Sequence, residues 1–152
     1  MTKNAARPDI NNMRRGNSTI EFALSALLIM SVLTLTFRFG YSFYTYNKLE
    51  GAVAAGARFA SRLTYDSRTG TPSQAYETAV SNLVVYGNPS GGVQPLVPGL
   101  GPENVRLTVN LEDGVPTQAR VSIVNFDLTG PQAWRLNGKP FAEFRYMGRF
   151  AP

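Results

Sequence analysis

Few side chains in this protein could carry out covalent chemistry. The 152 residues include no cysteine and no histidine. Their absence excludes disulfides, thiol nucleophiles, the imidazole base of a serine triad and the usual zinc ligand sets. Any catalysis would therefore depend on carboxylates, hydroxyl groups or lysines.

The carboxylates are not spaced for catalysis. Seven acidic residues lie after residue 63: Asp66, Glu77, Glu103, Glu112, Asp113, Asp127 and Glu143. No pair among them has the spacing expected for metal binding or general acid–base work, and Glu112-Asp113-Gly114 has the composition of an ordinary turn. We therefore predict a protein that is not an enzyme and that needs neither a metal nor another cofactor.

Glu21 is placed differently from the other carboxylates. The stretch "RRGNSTIEF" at residues 14–22 brings Arg14, Arg15 and Gly16 shortly before it, and an uncharged apolar run follows from Phe22 to Phe37. A carboxylate at the middle of a bilayer costs about 2.5 to 3.5 kcal/mol, and less near its edge. At the least, Glu21 in a first helical turn would interact favourably with the positive helix end, by about 0.3 to 1 kcal/mol.

The apolar run predicts a membrane-spanning helix. Residues 22–37 would rise about 24 Å as a helix, and their neighbours extend this to the roughly 30 Å of a hydrocarbon core. The aromatic stretch at 37–46 is typical of a membrane interface.

Most of the formal net charge of +5 lies in residues 1–16. The N-terminus should therefore stay cytoplasmic, with the residues beyond about 40 outside. Residues 17–152 are nearly neutral, which argues against nucleic-acid binding.

A cleavable secretory signal is the main alternative to a retained span. Such a signal needs small residues at a cleavage site just after the apolar run, whereas bulky aromatic residues follow it here. The nearest candidate, "GAVAAGA" at 51–57, lies far downstream. We therefore expect the apolar run to be retained. Two alternatives stay open: an unprocessed single-span membrane protein with a scaffolding or sensing head, and a secreted binding module.

The sequence resembles a known family over roughly residues 14–63. "RRGNSTIEFALSALLIM" resembles the processing region of type IV-like prepilins, with the aromatic Phe22 of Flp-type prepilins. Phe39-Gly40, Tyr46-Asn47 and "AVAAGARFA" at 52–60 are similar to the TadE-like minor pseudopilins of the Flp/Tad (tight adherence) pilus system. Leu27 departs from the pattern, because members often carry proline near that position. Asn17 also departs, because many type IV pilins have phenylalanine there.

The resemblance implies a function and a processing site. A prepilin peptidase would cut between Gly16 and Asn17, with Arg14 and Arg15 in the discarded leader, and Glu21 would become the fifth residue. The glutamate would then neutralise the new ammonium group of a neighbouring subunit. The resemblance thus implies a pseudopilin of the bacterial inner membrane that is incorporated into a pilus. Its partners would be the prepilin peptidase, other pilin or pseudopilin subunits, the inner-membrane assembly platform and membrane lipid.

Three regions follow from these expectations: a basic leader at 1–16, a long helix at 17–63 that spans the membrane to about residue 40, and an extracytoplasmic head at 64–152. The outer part of the helix carries small residues at intervals of four, namely Ala52, Gly56 and Ala60. Small side chains let a second helix approach closely. That second element is either another subunit or the protein's own head.

The head has the sequence pattern of an α+β, pilin-like fold. "TPSQ" at 71–74 predicts a helix start with Thr71 as the cap, and Gly87 predicts the helix end. Residues 87–102 are too rich in glycine and proline for regular structure, and a loop of this length is more often mobile or interacting than packed. Alternating apolar residues predict a hairpin at 105–123 and a third strand after residue 140. Trp134 is predicted as a core anchor.

Overall fold

The computed structural model describes residues 10–128 and 134–151, without the side chains of residues 10–17 and of Trp134. The chain divides into two compact units, Met1–Phe39 and Gly40–Pro152. Its elements in chain order are helix α1 (Ile10–Ala60), helix α2 (Gln74–Tyr86), a 3-10 turn (Pro102–Asn104) and strands β1 (Val105–Glu112), β2 (Val115–Ile123), β3 (Phe126–Leu128), β4 (Trp134–Leu136) and β5 (Phe141–Arg145).

Helix α1 differs from the prediction at both ends. It begins at Ile10 instead of residue 17, and it ends at Ala60 instead of residue 63. Residues 11–15 contain neither proline nor glycine, so nothing in their local preference stops the helix there. Phe37, Phe39, Tyr41 and Phe43 alternate with other residues, a spacing that is also typical of a strand. These residues are nevertheless helical.

The cap of helix α2 lies two residues later in the chain than predicted. The cap is Ser73, whose hydroxyl accepts a hydrogen bond from the Tyr76 N–H, so the prediction of Thr71 was wrong. Gly87 ends the helix as predicted. Its φ of 75° lies in the left-handed region, which glycine adopts without a steric penalty, and its N–H donates to the Leu83 carbonyl at 2.8 Å.

The predicted hairpin and third strand are confirmed. Strands β1 and β2 pair antiparallel, and β5 pairs antiparallel with β2, which gives the order β1-β2-β5. Asp113 and Gly114 make the connection with positive φ angles of 50° and 77°. Two positive φ angles match the turn whose twist suits a two-residue hairpin. A bulge between Asn110 and Leu111 adjusts the register.

A second, two-stranded sheet was not predicted. Strand β3 pairs antiparallel with β4, so that Leu128 lies opposite Trp134. Each strand has three residues, which is too short for a period-two pattern to be recognised. The prediction that Trp134 anchors the core concerns a side chain outside the described part of the structure.

The core of the second unit lies between helices and sheet. The last third of α1 contributes fully buried Leu49, Val53 and Ala57, and α2 contributes Val80 and Val84. The inner face of the three-stranded sheet covers them with its alternate apolar residues. A long apolar N-terminal helix, a short second helix and a small antiparallel sheet confirm the predicted α+β fold.

The connection between α2 and the 3-10 turn is irregular, as predicted, but it is packed. Val97 and Leu100 are buried in the core, and the Leu96 N–H donates to the Val85 carbonyl at 2.7 Å. The loop is therefore partly packed: Val97 and Leu100 enter the core although the backbone is irregular, whereas Leu96 between them and α2 stays 41% exposed.

Candidate functional site

The first candidate site is the apolar segment, which we define as residues 18–39 of α1. Its large apolar side chains are all exposed by at least 43%. They are Ile20, Phe22, Leu24, Leu27, Leu28, Ile29, Met30, Val32, Leu33, Leu35, Phe37 and Phe39. At 1.5 to 3 kcal/mol for a fully buried side chain, removing these partly exposed groups from water is worth on the order of 20 kcal/mol. Whole domains are stable by only about 5 to 15 kcal/mol.

These side chains surround the helix instead of forming a stripe. Four consecutive exposed residues, 27–30, point in all directions around the axis. A helix that is apolar all round belongs in a protein core or a membrane. Within the described residues, α1 is the one helix long and apolar enough to cross a membrane, and its most apolar stretch is not buried. The segment therefore indicates membrane association.

Hydroxyl groups within the apolar segment have partners in their own helix. Ser31, Thr34 and Thr36 each donate to the carbonyl four residues earlier, at 2.8, 2.8 and 2.9 Å. In hydrocarbon no water can satisfy a polar group, so an internal partner removes most of the penalty. These three polar residues are thus compatible with a lipid environment.

Glu21 and Phe22 lie near the start of the apolar segment, and both are exposed. Glu21 follows Asn17 by four residues in α1, so the two lie on one face, about 6 Å apart along the axis. Helical side chains incline toward the N-terminus. A positive charge at Asn17 would therefore lie within reach of a Glu21 carboxylate, from the same helix or from one packed beside it.

The proposed processing site lies in the first turns of α1. The backbone of Arg14, Arg15, Gly16 and Asn17 is helical, and their side chains are outside the described part of the structure. The bond after Gly16 is consequently helical, although cleavage requires an extended chain. Glycine weakens a helix by about 1 kcal/mol relative to alanine, which eases local unwinding at this position.

The small residues of the outer helix face the protein's own head. Ala52 and Ala60 are buried, and a Cβ added at Gly56 would lie only 2.3 Å from Cγ2 of Val84 in α2. Val121 of β2 lies on the same side, at 3.9 Å from that Cβ position. Of the two alternatives, this placement favours packing within the head over contact with another subunit.

A tyrosine cluster holds the C-terminal end of α1, and the sequence did not reveal it. The Tyr76 hydroxyl donates to the Ala60 carbonyl, and the Tyr146 hydroxyl donates to the Leu63 carbonyl at 2.6 Å and accepts from the Tyr65 N–H at 2.9 Å. Burial raises the pKa of all three tyrosines above its ordinary value. The residues are far apart in the chain, so no local pattern could indicate their contact.

A groove beside the helix was also not predicted. It lies within the second unit, between α1 residues 41–48 and loop residues 94–98, and has a volume of about 450 Å³. The Lys48 ammonium lies 5.3 Å from the centre of the Tyr44 ring, close enough for a cation–π interaction. The groove therefore combines aromatic surface with a positive charge.

The described residues also bear on the prediction about metal binding. Within residues 10–128 and 134–151, no group of three or more acidic, histidine or cysteine side chains could hold a metal ion. The most extensive exposed apolar surface is the apolar segment, and such a surface can pack against lipid or against other helices.

The comparison with protein families agrees with this site. Residues 16–58 match the family model described as TadE-like protein. The match begins at Gly16 and includes Glu21, Phe22 and the whole apolar run. No curated protein and no solved structure is significantly similar to the chain. Residues 16–58 are therefore similar to the TadE-like family, which confirms the resemblance seen in the sequence.

Proposed function

We propose that the protein is a TadE-like pseudopilin, a structural subunit that packs through its N-terminal helix in a Flp/Tad pilus or a secretion filament. Before assembly the apolar segment anchors it in the bacterial inner membrane, with the N-terminus cytoplasmic and the α+β head outside. The observation that carries the proposal is the exposure of apolar side chains on every face of residues 20–39, inside the TadE-like match. Such a helix fits a bilayer first and a helical bundle afterwards.

Processing by a prepilin peptidase is the next part of the proposal. The peptidase cuts between Gly16 and Asn17 after the first turns of α1 unwind, and the leader with Arg14 and Arg15 is lost. Gly16 supports this step because a residue without a side chain adopts an extended conformation at little steric cost. The basic leader supports it because positive residues stay on the cytoplasmic side of a membrane.

Glu21 determines the register between subunits. Cleavage leaves an ammonium group on Asn17, and the Glu21 carboxylate of an adjacent subunit neutralises it within the bundle. A buried charge without its partner is strongly penalised, by about 3 to 5 kcal/mol, so only one alignment of neighbouring helices is favourable. Phe22 packs next to this pair, and the remaining apolar segment supplies the contact surface. Assembly also requires the inner-membrane platform as a partner.

The mass of the protein purified from its native membrane tests the processing step. A chain that starts at Asn17 is the expected result. A start at Met1 would instead support an unprocessed single-span protein with a scaffolding or sensing head, the alternative favoured by the helical conformation at Gly16. A start beyond residue 45 would mean a secreted binding module, and it would contradict the proposal.

Replacement of Glu21 tests the charge pairing. Glu21→Ala should insert into the membrane as well as the wild type and should fail to enter filaments, measured by immunoblotting of sheared filaments and of membranes. Glu50→Ala is the matched control, because it removes an exposed carboxylate from the same helix beyond the apolar segment. If Glu21→Ala enters filaments as efficiently as Glu50→Ala, the charge pair does not determine the register.

A further inference from the structure

The groove beside α1 has the polar groups of an anion site. Its lining residues include Lys48, Tyr41, Tyr44 and Gln94, which carry an ammonium, two hydroxyl groups and an amide, and none of its lining residues is acidic. All of these groups can donate hydrogen bonds. The volume of about 450 Å³ lies in the range of small-molecule sites and would hold a phosphate with its glycerol.

The position of the groove in the chain indicates where that anion comes from. Residues 41–48 follow directly after the apolar segment in α1 and rise about 10 Å as a helix. The polar headgroup layer on each side of a bilayer is about 5 to 8 Å thick. If residues 18–39 span the membrane, as the proposed function requires, Tyr41 and Tyr44 lie within this layer. The Lys48 Cα lies about 14 Å beyond Phe39, and its side chain reaches back toward the layer, with the ammonium beside the Tyr44 ring.

The surroundings of the groove favour a lipid over a soluble anion. Tyr41 and Tyr44 are half exposed, as are the rings of an interfacial belt. The loop that forms the other wall presents Leu96, exposed by 41%, and Val93, which directly precedes that wall in the chain, is exposed completely. Apolar side chains next to a cationic groove match a ligand that has both a charged and an apolar part.

We infer that this groove binds the headgroup of an anionic phospholipid at the outer face of the membrane. Lys48 pairs with the phosphate, and Tyr41 and Tyr44 contact the glycerol and the first carbons of the acyl chains. The inference rests on the proposed membrane span. It adds a specific lipid site, which would hold the head against the bilayer before the subunit is extracted.

Native mass spectrometry of the full chain in a neutral detergent tests the site. Phosphatidylglycerol and phosphatidylcholine are added separately, and the fraction of protein that retains one lipid is measured. The wild type should retain phosphatidylglycerol preferentially. Lys48→Gln should weaken that retention roughly fivefold, the effect of one lysine near an anionic membrane surface. Lys139→Gln, which removes an exposed lysine outside the groove, should not change it.

Three results would overturn the inference: equal retention of the two lipids, equal effects of Lys48→Gln and Lys139→Gln, or loss of the bound lipid when inorganic phosphate is added in excess. The last would indicate a site for free anions. Failure of the proposed function is distinguishable. A purified chain that starts beyond residue 45 would lack the membrane span itself, whereas an intact chain without lipid preference contradicts only the lipid site.

Discussion

Adding a methyl group at Gly56 should destabilise the head, even though alanine favours helices. A Cβ at this position would lie 2.3 Å from Cγ2 of Val84, far inside van der Waals contact. Val84 cannot simply turn away, because a β-branched side chain in a helix strongly prefers one χ1 rotamer. Helix α2 would have to move from α1, or Val84 would have to adopt a strained rotamer.

The magnitude follows from two opposing terms. Replacing glycine by alanine inside a helix is favourable by about 1 kcal/mol. Overpacking a filled core costs about 1 to 3 kcal/mol, and a separation of 2.3 Å places Gly56→Ala toward the upper end. We therefore expect a net loss of about 1 to 2 kcal/mol in the free energy of unfolding.

Gly51→Ala is the matched control on the same helix. An added Cβ at Gly51 meets no atom within 4 Å, so this variant should gain about 0.5 to 1 kcal/mol. The two variants should then differ by about 2 kcal/mol, or very roughly 8 °C in the melting temperature of a domain of this size. Near-ultraviolet circular dichroism of the full chain in detergent micelles, followed during heating, measures this difference.

Combining Gly56→Ala with Val84→Ala tests the proposed contact directly. The smaller side chain leaves room for the new methyl group, so the double variant should be more stable than the sum of the single effects by about 1 to 2 kcal/mol. Two results would refute the reasoning: a Gly56→Ala protein as stable as Gly51→Ala, or strict additivity with Val84→Ala. Gly56 would then be available for contact with another subunit.

The remaining predictions concern polar groups that hold the head together. Tyr76→Phe removes a buried hydroxyl that donates to the Ala60 carbonyl, and it should cost about 1 to 1.5 kcal/mol in urea unfolding. Burial raises the pKa of Tyr65, Tyr76 and Tyr146, so above about pH 10 the unfolded chain releases protons that the folded head keeps. Stability should therefore be constant below that pH and fall as the pH rises, and Tyr76→Phe should make the fall shallower; an unchanged slope would contradict the burial argument. Asn104→Ala removes the side chain that bonds to the backbone of residues 101, 124 and 125. It should cost about 2 to 3 kcal/mol in the same unfolding assay, because those backbone groups lose buried partners.

Patterns that are local in the chain predicted their structures correctly. The apolar run, the Gly87 helix end and the alternation in β1, β2 and β5 depend on neighbours within a few residues. Local preference and periodicity are therefore sufficient to recognise them. The predicted cap, Thr71, was wrong: the cap is Ser73, and because threonine and serine are both good cap residues, only the backbone distinguishes them.

Features that depend on distant contacts could not be predicted. Helix α1 ends at Ala60, whose carbonyl accepts from the Tyr76 hydroxyl. The Leu63 carbonyl just beyond the helix accepts from the Tyr146 hydroxyl, 83 positions away in the chain. The loop between α2 and β1 looked irregular because of its glycines and prolines. Its packing depends on where Val97 and Leu100 meet the core, which composition does not reveal.

By itself, the sequence determined that the protein has a long apolar helix preceded by positive charge, that it carries a TadE-like segment, and that a small α+β head follows. Hydrophobicity and spacing are properties of a short stretch of chain, so they can be recognised without coordinates. Only the tertiary structure decided that Gly56 faces Val84 of the same head and that Lys48 borders a groove. Both depend on which distant segment packs against α1, and a helix pattern identifies a packing face without identifying its partner.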